Sequence, residues 1–426
     1  MKAGKLSVSW ICRHSCLLLA VLLGSACSTE DSTTIVKPEQ PAQRCQPWQS
    51  YDVLSHLGLD GTFSKLHFNS DCELFFAFSD GRNSRESVRG RVVSLLKTET
   101  GLTTVGVQLD IDTKGDDEIR GFALHNRQLL IWGTTTAAVA PHVVNQGRED
   151  VFWGIYSIDT KSLQVNQWGS ECPDMPFNMY LQNTGDWFIT GNHGVCVAGG
   201  AVIRWEDSFF LSGVVSSEGE PELEHYISNL TASPDRVTAS ALAEDGAVLV
   251  ALNVSAGSAR GIHAQKVDSL GNVIWSTLIS GSPIDNIARL IQVGDAVYAV
   301  GTTYIKLGDS HFGGGDIFIV AIDAESGDVT DIKQFGSATN EWISDAALVD
   351  GIWWMSGDYT HSVEQHWQSA LYRVNNAGLS THPLPYTADN QLSKGLAVGA
   401  GVIAIYGDQY HGDEKTAFVE FITKAK

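Results

Sequence analysis

Residues 316–323 read DIFIVAID, followed by Ser326-Gly327-Asp328 and Gln334-Phe335-Gly336-Ser337. After these come Glu341, the alternating stretch Ile343–Leu348, Asp350-Gly351 and IWWMSGD over 352–358. The preceding stretch has the same order of parts. Ile262–Val267 leads to Asp268 and Gly271, then Ile274-Trp275-Ser276, Gly281-Ser282 and Asp285. Ile287–Gln292, Gly294-Asp295 and a strand ending at Gly301-Thr302 complete it. Two consecutive segments with one plan are a repeat, and a repeat decides the fold before any single element does.

The closing pair, a small or apolar residue and then a polar one after an apolar run, marks the unit along the chain. It falls at Ser79-Asp80, Gly133-Thr134, Gly191-Asn192, Leu252-Asn253, Gly301-Thr302, Gly357-Asp358 and Gly407-Asp408. The steps are 54, 58, 61, 49, 56 and 50 residues. Each unit holds four short runs rich in Val, Ile, Phe, Trp and Thr, separated by turn residues, which is the pattern of a four-stranded antiparallel sheet. Glycines at 101, 219, 271, 327 and 378 sit where hairpin turns need positive φ. Such runs are too short for a helical repeat. Seven sheets of about fifty residues make an all-β, seven-bladed β-propeller with four antiparallel strands per blade.

With strands lettered a to d outward from the axis, the chain ends after a strand c, Thr416–Thr423, with no strand d behind it. Trp48–Leu57 reads as a strand d with no blade before it. The last blade is therefore expected to be closed by this N-terminal outer strand, which would cover an otherwise open sheet edge.

The sequence Gly-Asp-x-Phe, Asp-x-x-Gly, Trp or Phe, Gly-Ser, Asp, Val-Tyr-x-x-Gly-Thr resembles the bacterial β-propeller repeat of exported proteins. Residues 261–302 and 315–358 match well, 88–134 and 369–408 fairly, and 150–253 loosely. Asp323-x-x-Ser-Gly327 is also similar to the quinoprotein-type repeat. The resemblance implies a fold and an envelope setting, and no activity.

The N-terminus agrees with export. Lys2, Lys5 and Arg13 precede the apolar run 16–23, and Gly24-Ser25-Ala26-Cys27 follows. That is the three-part plan of a secretory signal, and its end resembles a bacterial lipobox. The expected organisation is a signal peptide over 1–26, lipid attachment at Cys27, a flexible tether over 27–44 and the propeller over 45–426. The tether carries Ser, Thr, Pro, Gln and Glu with little to bury. Ser28 beside the lipidated cysteine resembles the outer-membrane sorting signal. Export permits disulfides. Of seven cysteines, Cys45, Cys72, Cys172 and Cys196 lie in the body, and closeness in sequence favours Cys45–Cys72 and Cys172–Cys196.

A formal net charge of −21 disfavours nucleic acid and anionic lipid headgroups as partners. The sequence carries no nucleophile elbow, zinc-protease helix or phosphate loop. Residues 110–118 begin like a calcium loop, but Lys114 and Gly121 occupy two ligand places. His142, His193, His311, His361 and His411 follow strands b, and Asp117, Asp235, Asp285 and Glu341 lie where strands a begin. The loops carrying them share one face of a propeller, a candidate ligand face of imidazoles and carboxylates. Trp48, Trp168 and Trp275 are assigned to packing between blades, Trp342 and Trp367 to exposed contact. The reading favours a monomeric, cofactor-free binding or scaffold protein, lipid-anchored at the outer membrane, that meets an envelope protein or polysaccharide. The rival is a metal- or carbohydrate-dependent hydrolase or lyase using the histidine-bearing face.

Overall fold

A computed structural model describes residues 62–80, 88–98, 101–125, 127–196, 202–216, 221–228, 230–231, 235–360, 366–385, 390–399, 401–412 and 414–423. The described residues contain no helix. Twenty-seven strands form seven antiparallel sheets, six of four strands and a last one of three. The innermost strands are Thr62–Phe68, Asp117–His125, Asp174–Leu181, Asp235–Leu242, Asn286–Val293, Asn340–Val349 and Asn390–Val398. Each contacts the next, and the last contacts the first, so the blades stand in a ring. Trp48–Leu57, the strand expected to complete the seventh blade, lies outside the described residues, as do the signal and tether.

The burial pattern explains why the sequence alternates in some runs and not in others. Strands b and c are covered on both faces by neighbouring blades, so LFFAFSD (74–80), VLVALNV (248–254) and DIFIVAID (316–323) are almost continuously apolar and buried. Outer strands such as VIWSTLIS (273–280) are half exposed. The core is divided into seven clusters, one at each junction between successive blades. Phe63, Phe76 and Phe78 of blade 1 pack with Ala404, Tyr406 and Val419 of blade 7, so an apolar cluster closes the ring like the six others.

One irregularity recurs in every blade. The pairing of strand a with strand b slips by one residue, leaving Ser64, Arg120, Phe177, Thr238, Ala288, Ser344 and Lys394 unpaired. These are β-bulges at one level of the ring, and a bulge re-aims the side chains beside it. The residue just before the bulge pairs with the first member of the closing pair. Its register corrects the marker in blade 1. Phe78 pairs with Phe63 there, so the pair is Phe78-Ser79, one residue earlier than the sequence pattern indicated.

Where the pair opens with glycine, that glycine is a steric requirement. A Cβ on Gly301 would lie 1.9 Å from the Asn286 carbonyl oxygen, and one on Gly133 or Gly407 would lie 2.0 Å from the corresponding strand-a carbonyl. The polar second member joins each blade to the next. Asn192 Oδ1 accepts from the Val237 amide (2.7 Å) and its Nδ2 donates to the Val237 carbonyl (3.0 Å). Thr302 Oγ1 accepts from the Ile343 amide (2.9 Å), and Asp358 Oδ1 from the Ser393 amide (2.8 Å). All three amides belong to the residue preceding a bulge. Asn253 reaches the same strand-a entrance, donating to the Pro283 carbonyl at 2.6 Å.

Two outcomes follow from this junction. Gly301→Ala should lower stability by about 3 kcal/mol, because its clash is with backbone that cannot step aside; urea unfolding at unchanged m-value measures it. Burial pushes the Asp358 carboxyl up to about 7. The folded chain thus holds this proton more tightly than the unfolded one. The stabilisation is full below the unfolded value near 4 and is lost as pH rises through about 7. Asp358→Asn, the residue type blades 3 and 4 already use, should therefore raise stability at pH 8 by about 1–2 kcal/mol. It should also flatten the slope between pH 5 and 8, and an unchanged slope would refute the assignment.

Candidate functional site

The loops that enter strand a and those that leave strand b lie on one face, tied together by the acids that begin strand a. Asp117 is fully buried and accepts from the Thr113 amide (2.6 Å), the Thr113 hydroxyl (3.0 Å) and the Thr135 hydroxyl (2.7 Å). Asp285 accepts from Ser280 Oγ (2.5 Å), Thr303 Oγ1 (2.7 Å) and the Tyr304 amide (2.8 Å). Glu341 accepts from Ser337 Oγ and from Thr339 Oγ1 (2.8 Å). Asp235 accepts from the Ser208 amide at 3.0 Å, across the junction between blades 3 and 4. Burial raises the carboxyls of Asp117 and Asp235 above the usual range, against the pull of these donors. All four acids are turned inward, so they shape the face without presenting charge on it.

The histidines are spread around the ring. His142 and His411 are exposed, and His311 stands with Nε2 3.8 Å from Asp316 Oδ2. His361 lies outside the described residues. His193 is the one engaged in a network. Its Nδ1 bonds to the buried Asp174 carboxylate and its Nε2 to the Tyr226 hydroxyl (2.9 Å). Trp168 stacks against Tyr226 at 4.7 Å and against His193 at 5.4 Å between ring centroids. Among the described residues, no three His, Cys, Asp or Glu side chains are grouped to hold a metal ion.

Beside this network, Cys172 and Cys196 form a disulfide between the loop entering strand a and the end of strand b of blade 3. Closing a loop with a sequence separation of 24 residues contributes about 3 kcal/mol. Cys72 is disulfide-bonded as well; Cys45, its expected partner, lies outside the described residues. Trp275 is buried in the junction of blades 4 and 5, and Trp168, on the outer strand of blade 2, packs against Phe209 of blade 3; Trp342 and Trp367 are half-buried.

Several site residues have roles that the sequence pattern did not show, although Asp316 belongs to its Gly-Asp-x-Phe motif. Asp150 and Asp316, at the starts of strands c in blades 2 and 5, are fully buried. Each accepts an amide four residues back, from Gln146 or Phe312, and the side-chain amide of Gln167 or Gln334 on strand d. The same glutamines accept from Val139 and Leu307 in the preceding loop. A Cβ on Gly169 or Gly336 would lie 2.2 Å from the aspartate, so the glycine of the recurring aromatic-Gly-Ser triplet makes room for this acid. The serine that follows, Ser170 or Ser337, bonds the acid of the next blade, Asp174 or Glu341. Near the axis a cavity of about 270 Å³ opens, lined by Met175, Phe177, Asn192, Arg236, Thr238 and Asn286.

Asp285→Ala removes the acceptor of two hydroxyls and one amide. It should cost about 2–4 kcal/mol in urea unfolding, with Asp285→Asn losing less. An unchanged midpoint in the alanine variant would show that the loops are held by something else.

No family model matches the chain, and no curated protein matches it. Among solved structures it is similar in fold to a chain of the COPII outer coat vertex on membranes, at 11% identity and a TM-score of 0.52. That match covers 86% of this chain and 84% of the other. The RRP9 WD40 repeats match at 9% identity and a TM-score of 0.49, over 86% of this chain and 96% of that one. The β-propeller domain of the Trilobed protease from Pyrococcus furiosus matches at 8% and 0.47, over 86% and 98%. Likeness at such identities is one of fold alone.

Proposed function

We propose that the chain is a non-enzymatic binding propeller of the exported repeat type, held at the outer membrane by lipid on Cys27, that meets an envelope protein through its loop face. One observation carries this reading. The face whose acids are turned inward turns large apolar side chains outward. Val144 is 76% exposed, Ile284 63%, Phe312 47% and Ile305 40%. Ile284, Ile305 and Phe312 come from the two loops of blade 5 that Asp285 and Gln334 bind together. Rigid apolar groups with a polar rim are the anatomy of a protein contact, since they lose little entropy on docking. A polysaccharide would call for exposed aromatic faces flanked by hydrogen-bonding groups, and this aliphatic patch offers few.

The test uses the full chain expressed in its envelope, with cross-linking of intact cells. Cys27→Ala should move the chain from the membrane to the soluble fraction. Ile284→Glu and Phe312→Glu should each lower the yield of the cross-linked partner at least tenfold, while Val329→Glu on the outer strand of the same blade leaves it unchanged. Equal yields from the face and outer-strand variants would overturn the docking surface, and a Cys27→Ala chain that stays with the membrane would overturn the anchor.

A further inference from the structure

The axis of the ring carries a set of charges that the partner-binding reading does not use. Arg289 on blade 5 acts electrostatically on Lys65 of blade 1, Tyr180 of blade 3 and Tyr406 of blade 7. None of these blades is a neighbour of blade 5, so the groups meet across the central channel. Lys394 of blade 7 likewise feels Glu118 of blade 2, past blade 1. The bulges explain the convergence. Arg120 and Lys394 are themselves bulged residues, and Lys65, Arg289 and Asp345 each directly follow one.

The pairing of these charges is incomplete. Asp345 is the acid nearest Arg289, but its carboxylate accepts from the amides of Ala346 (2.9 Å) and Leu396 (3.3 Å). It stands 3.8 Å from the guanidinium, beyond hydrogen-bonding distance. Arg289 Nε is buried without an acceptor, as is Arg120 Nε. Neither the Lys65 nor the Arg289 side chain makes a hydrogen bond among the described residues, and the ion pair of Arg289 with Asp345 is its one close charge contact there. Burial and the neighbouring Arg289 charge lower the Lys65 ammonium to about 8. Buried donors left unmet cost free energy, and two cations facing one acid leave a positive excess inside a chain whose formal charge is −21.

We infer that the axial channel binds one small oxyanion, a carboxylate or a phosphate, seated between the Arg289 guanidinium and the Lys65 ammonium. The guanidinium fork supplies paired N–H donors matched to two oxygens of either group. Lys65 supplies a compact charge from the opposite side of the channel, whereas Arg120 and Lys394 are already paired, with Glu118 at 3.0 Å and Asp408 at 3.0 Å. Asp345, pinned by backbone amides, keeps Arg289 extended toward the axis.

Isothermal titration of the full chain with inorganic phosphate and, separately, with succinate tests this. Saturable binding of at least one probe at one per chain is expected, and which probe binds distinguishes the phosphate from the carboxylate source. Arg289→Gln should weaken that binding at least tenfold, with Lys65→Met as the second variant should the first not fold. Arg127→Gln, on a surface pair with Asp159, should leave it unchanged. Failure of both probes to saturate, or affinity in Arg289→Gln equal to that of the parent chain, would overturn the assignment. The outcome is independent of the loop-face reading, which places no ligand in the channel.

Discussion

Where strand a leaves strand b at its bulge, the backbone of one blade becomes available to its neighbour, and the ring is assembled on that contact. In a regular antiparallel pair, inward amides and carbonyls are used within the sheet. The slip at Thr238, Ser344 and Lys394 brings the amides of Val237, Ile343 and Ser393 to the preceding blade, where Asn192, Thr302 and Asp358 accept them. Apolar clusters at the junctions supply most of the driving force, but hydrophobic burial has no direction. The polar clasp gives each junction its register, and it works only if strand b comes close enough. Within the blade, strand b lies so close to strand a that a Cβ at Gly301 or Gly407 is excluded.

This coupling explains why the architecture was legible in the sequence. The marker that counted the blades, a glycine and then a polar residue, is the junction itself, so its recurrence at Gly133, Gly301, Gly357 and Gly407 reported geometry. It slipped by one residue in blade 1, where Phe78 takes the glycine's place and an Asp follows Ser79, because the pattern of types fitted two frames. The strand-a acids were also found, but their direction was not. Asp117, Asp285 and Glu341 look like surface carboxylates in a polar loop, and what turns them inward is a hydroxyl or amide supplied by residues four or five positions earlier and by the neighbouring loop. That signal is present as Thr113, Ser280 and Ser337 and is readable once the partner is known. Asp150 and Asp316 depend on glutamines 17 and 18 residues away, a spacing set by the length of a hairpin rather than by any local rule. The axial cations were invisible for a simpler reason. Lys65, Arg289, Asp345 and Lys394 belong to different blades, and only closure of the ring makes them neighbours.

The distribution of charge separates two environments. Outside, the excess of acids keeps the molecule soluble and repels anions at long range. On the loop face, acids are used as internal acceptors, and aliphatic and aromatic groups such as Ile284 and Phe312 are left exposed. In the channel the sign reverses. Field lines from Arg289 and Lys65 are confined by protein walls of low dielectric constant, where charges act over greater distances than across water. The influence of Arg289 on tyrosines two blades away on either side belongs to that enclosure.

The two environments share the same fixed points. Asp345 follows the bulge of blade 6 and accepts the Leu396 amide of blade 7, so the residue that keeps Arg289 extended is also part of a blade junction. Asn192 clasps blade 4 and lines the cavity near the axis. Asp285 binds the blade 5 loops and, through its carbonyl, accepts from Asn253 of blade 4 at 3.3 Å. Each element that could meet a ligand or partner is held by a contact whose first role is to close the ring. A propeller built this way cannot loosen these loops without disturbing a junction, and the side chains free to vary are those that project beyond the clasps, such as the exposed Ile284 and Phe312 of the blade 5 loops.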